Sequence, residues 1–205
     1  KMSIGIHSGE FHFFVVGRDH LELVMPGPAT TRALEMEKAA GAGQVVVSDA
    51  TAAELGEQAR FGERIEDGLV LRRVSPPTVI GPVPATARVD PARFVAPVLR
   101  DRLGQLDYEH RWAAVAFAHV GQIDRQLENE GPAAVFERLQ AFTVDMMDTL
   151  AEHDVLLASS DLMADGVGFM LAAGVPQATG DDAAAVLAVG RRLLAGDAPL
   201  PVRQQ

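Results

Sequence analysis

The chain has 205 residues, 48% of them apolar, a formal charge of −10 and no cysteine. That length sets one or two domains with room for a sizeable core. It lacks the chemistry for disulfides, thiolate metal sites or thiol nucleophiles, and its charge argues against nucleic acid as a partner. No apolar run approaches the ~18–20 residues of a membrane span, and residues 1–6 enter a strand pattern with no signal-peptide character. The expectation is a soluble, cytoplasmic protein with no membrane partner. Sixteen arginines against two lysines, with abundant alanine, suggest a GC-rich bacterial genome.

Residues 3–8 read as a short strand and 11–16 as its continuation or partner. Phe11, Phe13 and Phe14 are expected in a core or a dimer interface, and His12 facing solvent or a partner. Residues 17–20 form a turn, 21–25 alternate like a half-buried strand, and Pro26-Gly27-Pro28 stops it. A helix is predicted over 29–40, with Ala33, Met36 and Ala40 on one face and Gly41 and Gly43 ending it. Residues 44–48 are a buried strand. Ser48 or Asp49 caps a short helix through Leu55, because a side-chain oxygen there accepts an orphan backbone N–H. Residues 68–73 are the last strand of this segment.

Residues 75–107 carry six prolines, at 76, 77, 82, 84, 91 and 97. Proline fixes φ and removes a donor, so this stretch reads as a linker, with one candidate short helix near 97–106. Residues 112–118 are a buried strand and 123–128 a short helix. The strongest helix runs over 132–152. There Phe136, Leu139, Phe142, Met146 and Leu150 make one apolar stripe, and Pro132 sits in the first turn, where its missing N–H is no loss. Residues 155–159 and 167–172 are strands around a turn-rich stretch, 161–166. Thr179 or Asp181 caps a final helix carrying Val186, Leu187, Val189, Leu193 and Leu194. Residues 200–203 begin a further element. The second segment thus reads as most of a ferredoxin-like unit without its last strand.

These residues carry a family resemblance. Ser3-Ile4-Gly5-Ile6-His7-Ser8-Gly9-Glu10 resembles the I-G-I-H-x-G-E strand of class III adenylate/guanylate cyclases. Gly17, Gly27-Pro28-Ala29, Glu35-Met36-Glu37, Gly43 and Val45-Val46-Val47-Ser48 continue the C-terminal half of such a domain. Val115-Ala116-Phe117-Ala118-His119-Val120 resembles the first strand of another, usually V-x-F-x-D-I. Glu130-Gly131-Pro132, Asp165-Gly166, Gly174-Val175-Pro176 and Asp181-Asp182-Ala183 continue its N-terminal half. The resemblance implies an α+β, ferredoxin-like cyclase-type sheet with helices on one face, assembled from two complementary half-domains. Those halves are residues 1–74 and 108–205, joined by the linker, and the whole looks like a piece of a tandem bacterial signalling protein.

The family uses two aspartates to hold two metal ions, which bind the triphosphate and activate the ribose 3′-hydroxyl. The first aspartate falls at His119, and imidazole is a poor substitute for a ligand to magnesium, which prefers oxygen. The second falls at Asp165, or alternatively at Asp161; Asp124 is a conceivable replacement at a helix start. In the first segment the base-selecting aspartate falls at Pro28 and the ribose-orienting asparagine at Thr31. The transition-state arginine falls at Glu35, where reversed charge opposes stabilisation. Arg32 is near but stands about 300° round the helix from position 35. The purine-selecting lysine has no counterpart.

No catalytic position is intact, so the resemblance points to a degenerate cyclase-homology module with a dimerising or regulatory role and no cofactor. Its partners are then a second copy or the rest of a tandem cyclase-like protein. An alternative is an active or weakly active cyclase using Mg or Mn and making a cyclic nucleotide from ATP or GTP, with each half supplying residues to a missing half elsewhere. A further alternative is an ATP-binding sensor without chemistry. Bland roles compete at each residue: His7 as a structural histidine, Asp161 and Asp165 as turn formers. The cut points also predict that the two halves complement each other, in one chain or by exchange between chains, with residues 3–8 beside residues 112–118 supplying the absent last strand.

Overall fold

The computed structural model describes residues 1–75, 81, 89–100 and 110–195, and the backbone of 202–204. In chain order the first elements are β1 (Ile4–Ile6), β2 (Phe14–Gly17), β3 (Leu21–Val24), α1 (Pro28–Ala39), β4 (Val45–Ser48) and α2 (Asp49–Leu55). Next come β5 (Ala59–Ile65), β6 (Gly68–Val74) and the short α3 (Pro97–Arg100). The rest are β7 (Ala114–Val120), α4 (Ile123–Glu152), β8 (Leu156–Met163), β9 (Gly166–Ala173), α5 (Asp182–Ala195) and β10 (Val202–Gln204). The chain is α+β. Among the described residues no helix is long and apolar enough to cross a membrane.

Two compact units form, but not along the three sequence segments. One joins Lys1–Phe11 to Gly27–Val89, and the other joins His12–Pro26 to Asp90–Gln205. The β2–β3 hairpin therefore belongs with residues far along the chain.

In the first unit the strand order is β1-β4-β6-β5. β1 runs parallel to β4, with Ile4 opposite Val45 and Ile6 opposite Val47, and the other pairs are antiparallel. Met36 of α1 is buried against Val46 and Val70, which is the apolar face expected for that helix. Gly5 lets α1 lie close on β1, since a Cβ there would sit 2.0 Å from the Glu37 backbone nitrogen. Ser48 caps α2 by accepting a hydrogen bond from the Thr51 N–H. β5 has no counterpart in the sequence reading. Its residues Arg60, Gly62, Glu63 and Arg64 are exposed, and its pairing with β6 shifts register twice. Such a charged, irregular edge strand has no alternating apolar signal to read.

In the second unit the strand order is β10-β7-β9-β8, antiparallel throughout, and the connectivity is β7-α4-β8-β9-α5-β10. Alternation sends Ala118 and Val120 of β7 and Val167, Phe169 and Leu171 of β9 into one core. From α4 come Val135, Leu139, Phe142, Met146 and Leu150, and from α5 Val186, Val189 and Leu193. Gly131, at φ 81° and ψ 171°, kinks α4 just before Pro132, so the two expected helices stack end to end. Val115 and Phe117, pointing the other way from β7, are exposed. The hairpin adds Phe14, Val16 and Val24 to the same core and leaves Phe13, Val15 and Leu23 exposed. Phe13 is thus not a core residue.

The hairpin is held by more than apolar contact. Gln140 on α4 accepts from the Gly17 N–H at 3.0 Å and donates to the Gly17 carbonyl at 3.1 Å. One side-chain amide so satisfies both backbone groups at the end of β2, as a neighbouring strand would. Ser160 on β8 donates to Glu22 on β3 at 2.6 Å.

Other expectations are corrected. Residues 3–8 do not lie beside residues 112–118, because β1 is registered on β4 and β7 is flanked by β9 and β10. The strand judged missing is β10, with Val202 opposite Val120. The stretch 161–166 is not all turn: β8 continues through Met163, and only Ala164 and Asp165 lie between the strands. Of the 75–107 linker, a 3₁₀ turn over Pro91–Phe94 and the α3 helix are described. The rest of the candidate helix near 97–106, and Pro76, Pro77, Pro82 and Pro84, lie outside the described residues.

Candidate functional site

The family-matched positions of the second unit gather at the corner where β7 ends, α4 begins and the β8–β9 turn folds over. β9 brings them together: His119 on β7 and Asp161 on β8 are both registered opposite Gly168. Opposed residues share a face, so both project from the face that carries Val115 and Phe117. The Nε2 of His119 is buried without a protein hydrogen-bond partner. A Cβ at Gly166 would come 2.7 Å from that nitrogen and 2.0 Å from the Val120 carbonyl oxygen, so only glycine fits there. Asp161 is exposed, and its Oδ1 accepts from the adjacent Leu162 N–H at 2.8 Å.

Asp165 does something the sequence reading missed. It sits in the left-handed region at φ 58°, and its two carboxylate oxygens accept from the backbone N–H groups of Gln122 at 3.1 Å and Asp124 at 3.2 Å. Its carbonyl accepts from Ile123 N–H at 3.1 Å. Three consecutive N–H groups at the start of α4 are thereby satisfied by one residue of a distant turn. A helix N-terminus needs acceptors and favours negative charge. Gln122, at the N-cap position, makes no side-chain cap. That absence of Ser, Thr, Asn or Asp at the cap was the available signal that an outside group closes this end.

This donor set does not fit a pair of hard cations. His119 offers nitrogen, each carboxylate oxygen of Asp165 already accepts a backbone N–H of α4, and magnesium demands near-octahedral oxygen ligation. Among the described residues no group of three or more His, Asp or Glu side chains could hold a metal ion.

In the first unit the matched positions lie on α1. Pro28 occupies its first turn after Gly27 at φ 131°, where proline's fixed φ favours helix entry. The Thr31 N–H donates to the Gly27 carbonyl as part of the first helical turn. Arg32 donates to Glu35 at 2.8 Å and to Asp67 at 3.3 Å. The geometric objection to Arg32 is therefore corrected: 300° one way is 60° the other, and i,i+3 side chains meet on a helix face. Glu35 holds the Arg32 guanidinium above its ordinary pKa, chiefly through that hydrogen bond. The nearest cation is consumed locally. His7 is a bonded structural histidine: its Nδ1 lies 2.8 Å from Ser48 Oγ, which also touches Thr51. Burial, followed by the charge of Arg32, lowers its pKa.

A second constellation in the second unit had no sequence signal, because its members are far apart. His20 is buried, with Nε2 3.2 Å from Glu22 Oε1 but out of line for a hydrogen bond. Glu22 in turn accepts from Ser160, 138 residues away. The carboxylate stands in the middle, so no imidazole reaches the serine hydroxyl and the Ser–His–acid order of a nucleophilic triad is absent.

No family model matches this chain, and no characterised protein matches it in sequence. The fold and the corner together define an α+β chain whose acidic turn residue is used as a helix cap.

Proposed function

We propose that this chain is a catalytically degenerate class III nucleotide-cyclase homology region that serves a dimerising or regulatory role in a tandem signalling protein. The β-α-β-β-α-β connectivity of the second unit and its strand order β10-β7-β9-β8 support a ferredoxin-like, cyclase-type sheet. One observation carries the degenerate reading: Asp165, the candidate metal carboxylate, is bonded through both oxygens to the α4 backbone. With His119 at the other metal position, two-metal activation of a hydroxyl has no carboxylate pair to rest on. The exposed Val115 and Phe117 of β7 support the dimerising role, since apolar surface of this kind marks an interaction face.

The test is incubation of the purified protein with ATP or GTP and either magnesium or manganese, followed by chromatography for cyclic nucleotide. No product is expected; cyclic nucleotide formed in proportion to enzyme would overturn the proposal. Sedimentation velocity checks the dimerising role: Phe117→Asp lowers self-association, and an unchanged sedimentation profile speaks against it.

A further inference from the structure

The second unit holds a cleft of about 740 Å³, within the range of about 300–1,000 Å³ typical of small-molecule sites. It lies away from the His119–Asp165 corner. Met147, Leu150, Leu157 and Val98 supply apolar lining. Arg100, outside the lining, fastens the 91–100 segment to the hairpin turn: its guanidinium donates to the carbonyls of Ala92 and Val95 and to that of Asp19, so that Ala96, Pro97 and Val98 line the cleft. Buried His20 also lines the cleft, with its Nε2 lacking a hydrogen-bond partner.

The charge of the lining is one-sided. Asp19 and Asp154 are its charged residues, and no Lys or Arg is among the described lining. Asp19 is ion-paired with Arg18 at 3.1 Å. Asp154 is exposed, in the left-handed region at φ 53°, and its carboxylate has no partner among the described residues. An apolar chamber with a free carboxylate at its mouth favours an apolar body carrying a cation. It disfavours phosphates and carboxylates, as does the chain's overall charge of −10.

We infer that this cleft is a binding site for a small aliphatic amine, its hydrocarbon part against Met147, Leu150 and Leu157 and its ammonium beside Asp154. The occupant differs in chemistry from a nucleoside triphosphate, so the inference does not depend on the proposed cyclase homology.

Three ten-carbon probes that differ only in the head group test it: decylamine, decanol and decanoate, each below its micelle-forming concentration, titrated calorimetrically into the full chain. Saturable decylamine binding is expected, about fivefold tighter than decanol, with decanoate weaker again by a similar factor, as for one unit charge pair near 4 Å in water. Asp154→Asn, which tolerates the left-handed backbone, equalises amine and alcohol while leaving decanol binding in place. Ala151→Trp, on the cleft-lining face of α4, abolishes binding of all three while circular dichroism stays native. The inference is overturned by no saturable binding to the wild type, by equal affinity for amine and carboxylate, or by a head-group preference that survives Asp154→Asn. If Ala151→Trp does not fold, the Asp154 comparison decides alone.

Discussion

Asp165 is read here as the closing group of α4, and Asp165→Ala measures that role. The substitution removes two acceptors from the Gln122 and Asp124 N–H groups. Loss of a helix cap costs about 0.5–2 kcal/mol. Alanine at φ 58° adds about 1–2 kcal/mol, because its Cβ crowds the carbonyl in the left-handed region. The expected total is about 1.5–4 kcal/mol. Asp165→Asn keeps one acceptor oxygen and tolerates the backbone, so it costs about 1 kcal/mol. Asp165→Gly relieves the backbone strain but loses the cap, and falls between the two. Urea unfolding followed by far-ultraviolet circular dichroism gives the three values, and amide exchange at Gln122 and Asp124 localises the effect. A wild-type-like Asp165→Ala, within about 0.5 kcal/mol, would refute the capping argument. So would a magnesium-induced rise in melting temperature that Asp165→Ala abolishes, since the carboxylate would then be a metal ligand.

Gln140→Ala leaves Gly17 N–H and carbonyl without their partner and costs about 1–3 kcal/mol, read in the same unfolding assay. It also raises amide exchange in β2 and β3 before exchange elsewhere. Gly166→Ala forces a Cβ to within 2.0 Å of the Val120 carbonyl oxygen and destabilises by about 1–3 kcal/mol or more; a melting temperature equal to wild type would contradict the close approach. His7 has its pKa lowered below 6.5 by burial and by Arg32. Above 6.5 its stabilising contribution is fully present. As the pH falls from 6.5 through the folded pKa, the unfolded chain takes up the proton more readily and that contribution is lost. The difference in stability between wild type and His7→Asn therefore shrinks as the pH is lowered from 7.5 to about 5.5; a difference that stays flat or grows is incompatible with a lowered His7 pKa.

Much of the fold could be read from the residues because local pattern and tertiary burial agree there. The stripe Leu139, Phe142, Met146 and Leu150 is buried as its spacing requires, Ser48 caps α2, and Gly131-Pro132 marks the bend of α4. Asp182 strengthens the start of α5 by accepting from Thr179 N–H and hydroxyl; the Thr179 N–H is the larger cause of its lowered pKa. What escaped was nonlocal. β5 hides behind Arg and Glu side chains, and the strand beside β7 proved to be β10. Nothing in the spacing of residues 12–26 says that they pack with residues more than a hundred positions on. At the candidate site the residue types were legible and their uses were not. His119 and Asp165 can be picked out by motif, but the bonds from Asp165 to α4 depend on a turn meeting a helix start 41 residues away.

The chain's path through its two units has a consequence for synthesis. The hairpin leaves the ribosome well before α4, because Gln140, which completes its bonding, lies 123 residues after Gly17. At roughly 5–20 residues per second, Phe14, Val16 and Val24 wait on the order of ten seconds for α4, while β1 and α1 already have β4 to pair with. During that interval the apolar side chains of the hairpin have no core to enter. Substitutions that slow closure of so long a loop would show first as lower yield and greater chaperone dependence, with the finished molecule's melting behaviour unchanged.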